Sequence, residues 1–248
     1  MIVVEDLYKS FDGLKVLQGI SFQVAKGETL ALIGASGSGK SVLLKHIARL
    51  IKPDGGRILI DQKDIRFLQG KPLEQMRSRF GFLFQGGALF DSLTVFENVA
   101  FPLEEKSKES DQEIRERVIS MLDQVGLIGA EDKYPAQISG GMVKRVALAR
   151  SLVMNPEIML FDEPTSGLDP VTAHNILNLI HSCHNRFGFT GVIVTHAITR
   201  VFQIVQKVAM LHKGKILIMG TPEEIVASDD PNVQQFISLG NECLIHYR

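Results

Sequence analysis

The sequence has few cysteines, no excess of either charge and no long apolar run. Two cysteines, Cys183 and Cys243, are too few for the disulfide framework of a small secreted domain. The 27 basic and 28 acidic residues give a formal net charge of −1, which argues against binding to nucleic acid through a basic surface. No stretch of about 18 apolar residues occurs, so no segment is expected to span a bilayer.

The start of the chain does not read as a secretory leader. The acidic residues Glu5 and Asp6 stand where a leader would place a basic segment followed by an apolar one. We therefore expect a soluble, cytoplasmic protein with reduced thiols.

Short apolar runs alternate with longer stretches of helical periodicity, which predicts an α/β fold with a largely parallel sheet. Ile158–Phe161 and Val192–Val194 are apolar at every position, which is typical of strands covered on both faces. The predicted strands are Ile2–Val4, Ile20–Val24, Thr29–Ile33, Arg57–Ile60, Phe80–Phe84, Ile158–Asp162, Gly191–Thr195, Lys207–Leu211 and Lys215–Met219.

Several helix starts are marked by capping residues. Ser110 with Glu113 and Thr221 with Glu224 form capping boxes. Asp169 and Asp230 each precede a proline that fits the first helical position. Gly126 is expected to end the helix that follows Ser110.

Residues from about 94 to 154 read as nearly all helix. We therefore predict a helical subdomain at about 91–154, inserted into a core at about 1–90 and 155–220. The main domain would then span 1–230, and 231–248 would form an amphipathic tail that could dock on a partner chain.

The segment Gly34-Ala35-Ser36-Gly37-Ser38-Gly39-Lys40-Ser41 matches a phosphate-binding loop. A predicted strand precedes it and a helical stretch, Val42–Leu50, follows. Glycines let successive backbone N–H groups point inward, and the helix dipole adds positive potential. Lys40 would reach the β- and γ-phosphates, and Ser41 would bind Mg²⁺.

Two adjacent carboxylates, Asp162 and Glu163, end an apolar strand. At a strand end both side chains can approach a nucleotide. Asp162 suits the outer shell of Mg²⁺, which keeps several waters. Glu163 suits a base or a water-positioning group for hydrolysis.

A second anion site is predicted at Ile138-Ser139-Gly140-Gly141-Met142. Ser139 can cap the helix Val143–Met154, and the glycines leave its first N–H groups open. One chain seldom needs two separate sites for the same phosphate. A head-to-tail dimer does, because each ATP would lie on one chain's loop and under the other chain's capped helix.

These motifs, taken in order, resemble the ABC ATPase family over nearly the whole chain. The order is the phosphate loop, Gln85 after a strand, the 138–142 signature, the acid pair, Ser166 to Asp169, and His196 after a strand. The signature departs from the common L-S-G-G-Q at Ile138 and Met142. The resemblance implies a P-loop NTPase (RecA-like) α/β core with an antiparallel β subdomain and an inserted α-helical subdomain.

The resemblance also implies a role for each site residue. Phe11 would stack on adenine, with Tyr8 as a rival and Val16 beside the ring. Gln85 would reach Mg²⁺ or the attacking water and touch the membrane partner. His196 would contact the γ-phosphate and help hold Glu163 and the water. Asp169 and Ser166 would cross the dimer interface. The cofactors implied are ATP and Mg²⁺.

A chain of this family without a membrane span is expected to drive a separate integral membrane permease, at the cytoplasmic face of the inner membrane. Residues 80–103 would form the permease face, with apolar side chains at Leu89, Phe90, Leu93, Val95, Phe96, Val99 and Phe101. This stretch, Met142 and the ending from Asp230 to Phe236 most resemble the ATPases of Mla/Mce-type lipid transporters. Those systems pair two ATPases with two permeases, an Mce lipid-binding protein and sometimes a STAS-domain protein. The alternatives are the ATPase of a small-solute, amino-acid-type importer and a soluble, non-transport ABC ATPase.

Overall fold

A computed structural model describes residues 1–196 and 198–245, apart from the side chains of Thr199 and of residues 239–245. Cys243 and much of the predicted amphipathic tail therefore lie outside the described side chains. No helix in the described part of the chain is long and apolar enough to cross a membrane.

The strands and helices alternate along the chain. The strands are β1 (Ile2–Phe11), β2 (Leu14–Val24), β3 (Thr29–Ile33), β4 (Gly55–Ile60), β5 (Lys63–Asp64), β6 (Phe80–Leu83), β7 (Ile158–Asp162), β8 (Thr190–Val194), β9 (Lys207–His212) and β10 (Lys215–Gly220). The helices are α1 (Lys40–Ile47), α2 (Gly70–Arg77), α3 (Val95–Lys106), α4 (Asp111–Gln124), α5 (Gly140–Leu152), α6 (Pro170–Phe187), α7 (Ile198–Val201), α8 (Pro222–Val226) and α9 (Pro231–Ile245).

The chain divides into two compact units, Met1–Arg79 with the segment from Phe189 onward, and Phe80–Gly188. In the first unit β2, β1, β4 and β5 form an antiparallel sheet in that order. The strands β10, β9, β3 and β8 follow one another in a second sheet, where β3 pairs in parallel with both β8 and β9. All residues of β3 and β8 are buried, so these strands form the core beneath the phosphate loop.

The second unit joins a parallel strand pair to a set of helices. β6 pairs with β7 in parallel, and Leu83 lies opposite Phe161 in the register. Helix α3 packs against α4 and α5, and α5 also contacts α6 and β6. Every residue of β7 is buried, which confirms the prediction made from its unbroken apolar run.

The α/β prediction is confirmed, and so are most helix starts. The capping boxes at Ser110 and Thr221 are formed, and Asp169 accepts hydrogen bonds at the start of α6. Gly126 has a φ of +69° just beyond the end of α4. These features are predictable because a cap depends on residues within one turn of it.

The larger differences from the predicted boundaries lie in the hairpin of β1 and β2, at the end of α1 and at the start of α5. The hairpin of β1 and β2 is longer than expected, because register shifts beside Asp6, with its φ of +45°, break the alternation of apolar residues. Helix α1 stops before Leu50 because Arg49 turns into the left-handed region and its guanidinium donates to the carbonyls of Ile65 and Arg66. Helix α5 starts at Gly140 rather than Val143, directly after its cap.

Candidate functional site

The phosphate loop, Gly34–Ser41, leaves the end of β3 and runs into α1. Its glycines at 34, 37 and 39 have positive φ angles of 147°, 77° and 100°. A Cβ at Gly34 would lie 2.3 Å from the carbonyl oxygen of Leu211. A Cβ at Gly39 would lie 3.1 Å from Cγ1 of Val16. The loop therefore requires glycine at 34 for steric as well as conformational reasons, whereas at 39 the left-handed backbone is the main reason for glycine.

The Lys40 side chain folds back and contacts the first two residues of the phosphate loop. Its side chain is buried, with 6% of the residue exposed, and Nζ donates to the carbonyls of Gly34 at 2.8 Å and Ala35 at 3.0 Å. These bonds hold the ammonium at the centre of the loop. A cation in this position would attract a polyphosphate to the loop.

The residues present fit a triphosphate with Mg²⁺. Gly39 is the N-cap residue of α1 and has no side chain that could cap the helix. The first turn of α1 contains no acidic residue. The buried hydroxyl of Ser38 has no hydrogen-bond partner among the described residues. A helix start without a side-chain cap favours a bound anion. The residues that would hold the phosphates are Gly34, Ala35, Ser36, Gly37, Ser38, Gly39, Lys40 and Ser41, and the Ser41 hydroxyl would also bind Mg²⁺.

The first unit also carries the predicted base-stacking residue. Phe11 ends β1 with 41% of its surface exposed, and the ammonium of Lys9 lies 5.1 Å from its ring centroid. Tyr8 instead lies along Gly19 and Gly55 of its own sheet. Tyr8 is 48% exposed, so both rings are accessible and exposure does not decide between them.

His196 follows β8, the parallel neighbour of β3. Leu32 pairs with Val194, and the N–H of Thr195 donates to the carbonyl of Leu32 at 3.2 Å. Parallel strands bring their carboxyl ends to one edge of the sheet. His196 is exposed at this edge, where β3 also delivers the phosphate loop.

The second unit gathers three predicted residues at the ends of its own strand pair. The register of Leu83 with Phe161 places Gln85 at the same edge as Asp162 and Glu163. Asp162 is buried, and Glu163 adopts a φ of +48° in a turn closed by the N–H of Ser166 at 3.1 Å. A left-handed conformation in a non-glycine residue costs on the order of 1 kcal/mol and is frequent at functional sites.

The starts of α5 and α6 are adjacent in this unit. The hydroxyl of Ser139 accepts from the N–H of Met142 at 3.3 Å, and Asp169 accepts from Val171 and Thr172 at 3.0 Å. Hydrogen bonds from Thr172 lower the pKa of Asp169 and keep it charged. A Cβ at Gly141 would lie 2.6 Å from Cγ2 of Thr172. Ser139, Gly140, Gly141 and Asp169 are thus brought together.

Two basic residues of α5 were missed by the sequence analysis. Lys144 is 5% exposed and donates to the carbonyl of Gln85. Arg150 donates to the carbonyls of Gly87 and Ala88, both at 2.8 Å. A lysine in the otherwise apolar buried stripe of α5 was the available signal, because buried ammonium groups require acceptors.

Some apolar side chains of the predicted permease face are buried in the core, and others are exposed on the surface. Val95 and Val99 are fully buried, whereas Phe90 and Phe101 are 43% and 37% exposed. The two exposed rings are 4.8 Å apart between centroids. The guanidinium of Arg150 lies 5.7 Å from the ring centroid of Phe90.

Residues 17–166 match the sequence model of the ABC transporter family. The chain belongs to that family. Among solved structures it is similar to the dimeric ATP-binding cassette MJ0796 in a post-hydrolysis state bound to ADP and Pi. The TM-score is 0.81 and the identity 32%, over 90% of this chain and 99% of that one.

Relatives in the ABC family carry names for different cargoes. A probable ribonucleotide transport ATP-binding protein of Mycobacterium leprae is 42% identical over 96% of this chain and 68% of its own length. The intermembrane phospholipid transport ATP-binding protein MlaF of Haemophilus influenzae is 38% identical, over 90% and 84%. A methionine import protein, MetN, of Carboxydothermus hydrogenoformans is 37% identical, over 100% and 76%.

As an ABC cassette, the chain has the P-loop NTPase fold and hydrolyses ATP with Mg²⁺. The family works with membrane permease subunits. The relatives do not settle which cargo is carried, because their named cargoes differ at similar identities.

Replacing Lys40 by methionine is expected to lower ATP turnover at least about 100-fold, as for the loss of other preorganised donors to a developing charge. Lys45→Met is the matched control, since Lys45 lies on the same helix and is exposed. Steady-state phosphate release measures both variants. A Lys40→Met variant with a rate near wild type would show that the buried ammonium does not serve the reaction.

Proposed function

We propose that the chain is the ATP-hydrolysing subunit of a transporter that moves lipid, most simply phospholipid, between envelope membranes through a separate permease. It would act as a homodimer at the cytoplasmic face of the inner membrane. The observation that carries the ATPase part is the phosphate loop closed by the buried Lys40 at an uncapped helix start.

The phosphate loop is proposed to bind the triphosphate through its backbone N–H groups and Lys40. Ser41, Gln85 and Asp162 are proposed to hold Mg²⁺, with Asp162 acting through bound water. The metal would neutralise charge on the phosphate oxygens. Phe11 would stack on the base, with Val16 beside it, and a π-face reads purines with little selectivity.

Glu163 is proposed to orient the attacking water and accept its proton. Its left-handed backbone and the turn closed by Ser166 fix where the carboxylate can point. His196 would hold the γ-phosphate and the water by hydrogen bonds. Catalysis of phosphoryl transfer is mainly positioning and charge stabilisation, so these residues need to be held in place more than to be reactive.

The dimer proposal rests on the second helix start. Ser139, Gly140 and Gly141 open α5 with backbone N–H groups, and Asp169 stands beside them. We propose that this surface completes the phosphate site of a second copy of the chain. The dimeric cassette MJ0796 supports this arrangement by its likeness over most of the chain.

Lipid cargo is supported by the similarity to MlaF across 84% of that protein. An Mce-type lipid-binding protein and a STAS-domain protein are the further partners we propose. The second candidate is the ATPase of an amino-acid-type importer, which the similarity to MetN favours. The net charge of −1 speaks against a nucleic-acid partner.

Changing Glu163 to glutamine keeps the shape of the side chain and removes the charge that accepts a proton. The variant should bind ATP with near wild-type affinity and dimerise, while turnover falls at least about 100-fold. Nucleotide titration, light scattering and phosphate release measure the three properties. Glu157→Gln, at an exposed carboxylate before β7, is the control, and near-normal turnover by Glu163→Gln would remove Glu163 from this role.

Mixing two inactive chains tests the head-to-tail dimer. Lys40→Met chains retain the Ser139 surface, and Ser139→Arg chains retain the phosphate loop, so each mixed dimer has one intact composite site. Random mixing should restore up to about a quarter of the wild-type rate. Mixing Lys40→Met chains with chains that carry both changes should restore nothing. Equal rates in the two mixtures would show that each site belongs to a single chain.

The cargo is tested by purifying the chain with its permease in detergent and analysing the bound small molecules by mass spectrometry. Retained phospholipid, together with faster ATP hydrolysis in phospholipid vesicles than in detergent, is expected. Stimulation by an amino acid with a solute receptor, and none by phospholipid, would instead support the importer.

A further inference from the structure

Helix α5 holds the Gln85 loop along its length. Side chains of α5 donate to three backbone carbonyls of this loop: Lys144 to Gln85, and Arg150 to Gly87 and to Ala88. Gly87 lies so close to the helix that a Cβ would be 3.1 Å from Cγ1 of Val143. The segment from Gln85 to Ala88 is therefore attached to α5 rather than free to move by itself.

The Gln85 carbonyl accepts from two donors on different segments. Besides Lys144, the hydroxyl of Ser166 donates to it at 3.4 Å, and Nζ of Lys144 lies 3.5 Å from that hydroxyl. Lys144, Gln85 and Ser166 form a triangle that joins α5, the loop after β6 and the turn after β7. We call these three residues the Lys144 triangle.

The ammonium of Lys144 is buried and lies in the field of the acid pair. Burial lowers its pKa, and the carboxylates of Glu163 and Asp162 oppose that effect. Burial outweighs the two carboxylates, so the ammonium depends on the oxygen atoms that accept its hydrogen bonds, the carbonyl of Gln85 and the hydroxyl of Ser166. None of the roles proposed above for ATP binding or hydrolysis uses this side chain.

We propose that Lys144 is a positioning residue for ATP hydrolysis. By holding the backbone carbonyl of Gln85, Lys144 orients the residue and so the side-chain amide of Gln85. The direction of that side chain then depends on the position of α5, the helix that Ser139 caps. This inference rests on the role proposed for Gln85. A shift of α5 would then change the Gln85 amide without any change in the phosphate loop.

The test compares Lys144→Met and Lys144→Arg in the full chain, each alone and with Gln85→Ala. Lys144→Met should lower kcat about tenfold and change KM for ATP less than about twofold, because positioning acts on the chemical step. Lys144→Arg should recover most of kcat. In the Gln85→Ala background, Lys144→Met should have little further effect, since the two changes act through one group. Lys106→Met, at an exposed lysine of α3, is the control.

Thermal unfolding separates positioning from stability. If Lys144→Met fails to fold, Ser166→Ala is the second variant, because it removes one donor to the same carbonyl without removing a buried charge. Ser166→Ala should lower kcat less than Lys144→Met does. In the Gln85→Ala background, Ser166→Ala should cause no further loss of kcat. An undiminished kcat in Lys144→Met, failure of arginine to rescue it, or equal losses in both backgrounds would overturn the proposal. Wild-type turnover by Gln85→Ala would separately refute the role of Gln85, and with it this inference.

Discussion

The backbone N–H groups at the start of α1 are left without a side-chain cap. By contrast, Ser139 caps α5 and Asp169 caps α6. The chain reaches this start through Gly34, where a Cβ would clash with the carbonyl of Leu211, and Gly39, which has a left-handed backbone, and the buried Lys40 ammonium lies against the loop. An unfilled helix start costs stability unless an anion occupies it. ATP binding fits this constraint, because the triphosphate supplies the negative charge and the hydrogen-bond acceptors that no side chain provides at the start of α1.

Each unit uses the ends of parallel strands to gather residues that are far apart in sequence. The pairing of β3 with β8 sets the phosphate loop and His196 at one edge, and the pairing of β6 with β7 does the same for Gln85 and the acid pair. Strand pairing fixes the positions of these residues within the sheet, whereas a helix can shift as a rigid body. The contacts of α5 to the Gln85 loop are therefore where a movement could reach the chemistry of the second unit.

The sequence predicts those parts of the fold that depend on neighbours along the chain. Buried strands, capping residues and the phosphate loop are of this kind, since their signals lie within one turn or one strand. The bulge at Asp6 and the early end of α1 at Arg49 depend on backbone that lies elsewhere in sequence. Lys144 shows the limit most clearly, because its acceptor is a backbone carbonyl 59 residues away and a carbonyl carries no residue-type signal.

The residues proposed to act on ATP say nothing about cargo, because relatives with different named cargoes match the same cassette at similar identity. Features that these cassettes share therefore do not distinguish their cargoes. Phe90 and Phe101 are exposed aromatic side chains of the second unit. Neighbouring exposed aromatic residues are typical of surfaces that bind a partner protein. Arg150 contacts the Phe90 ring and also donates to Gly87 and Ala88. Arg150 thus links the exposed Phe90 ring to the backbone that follows Gln85.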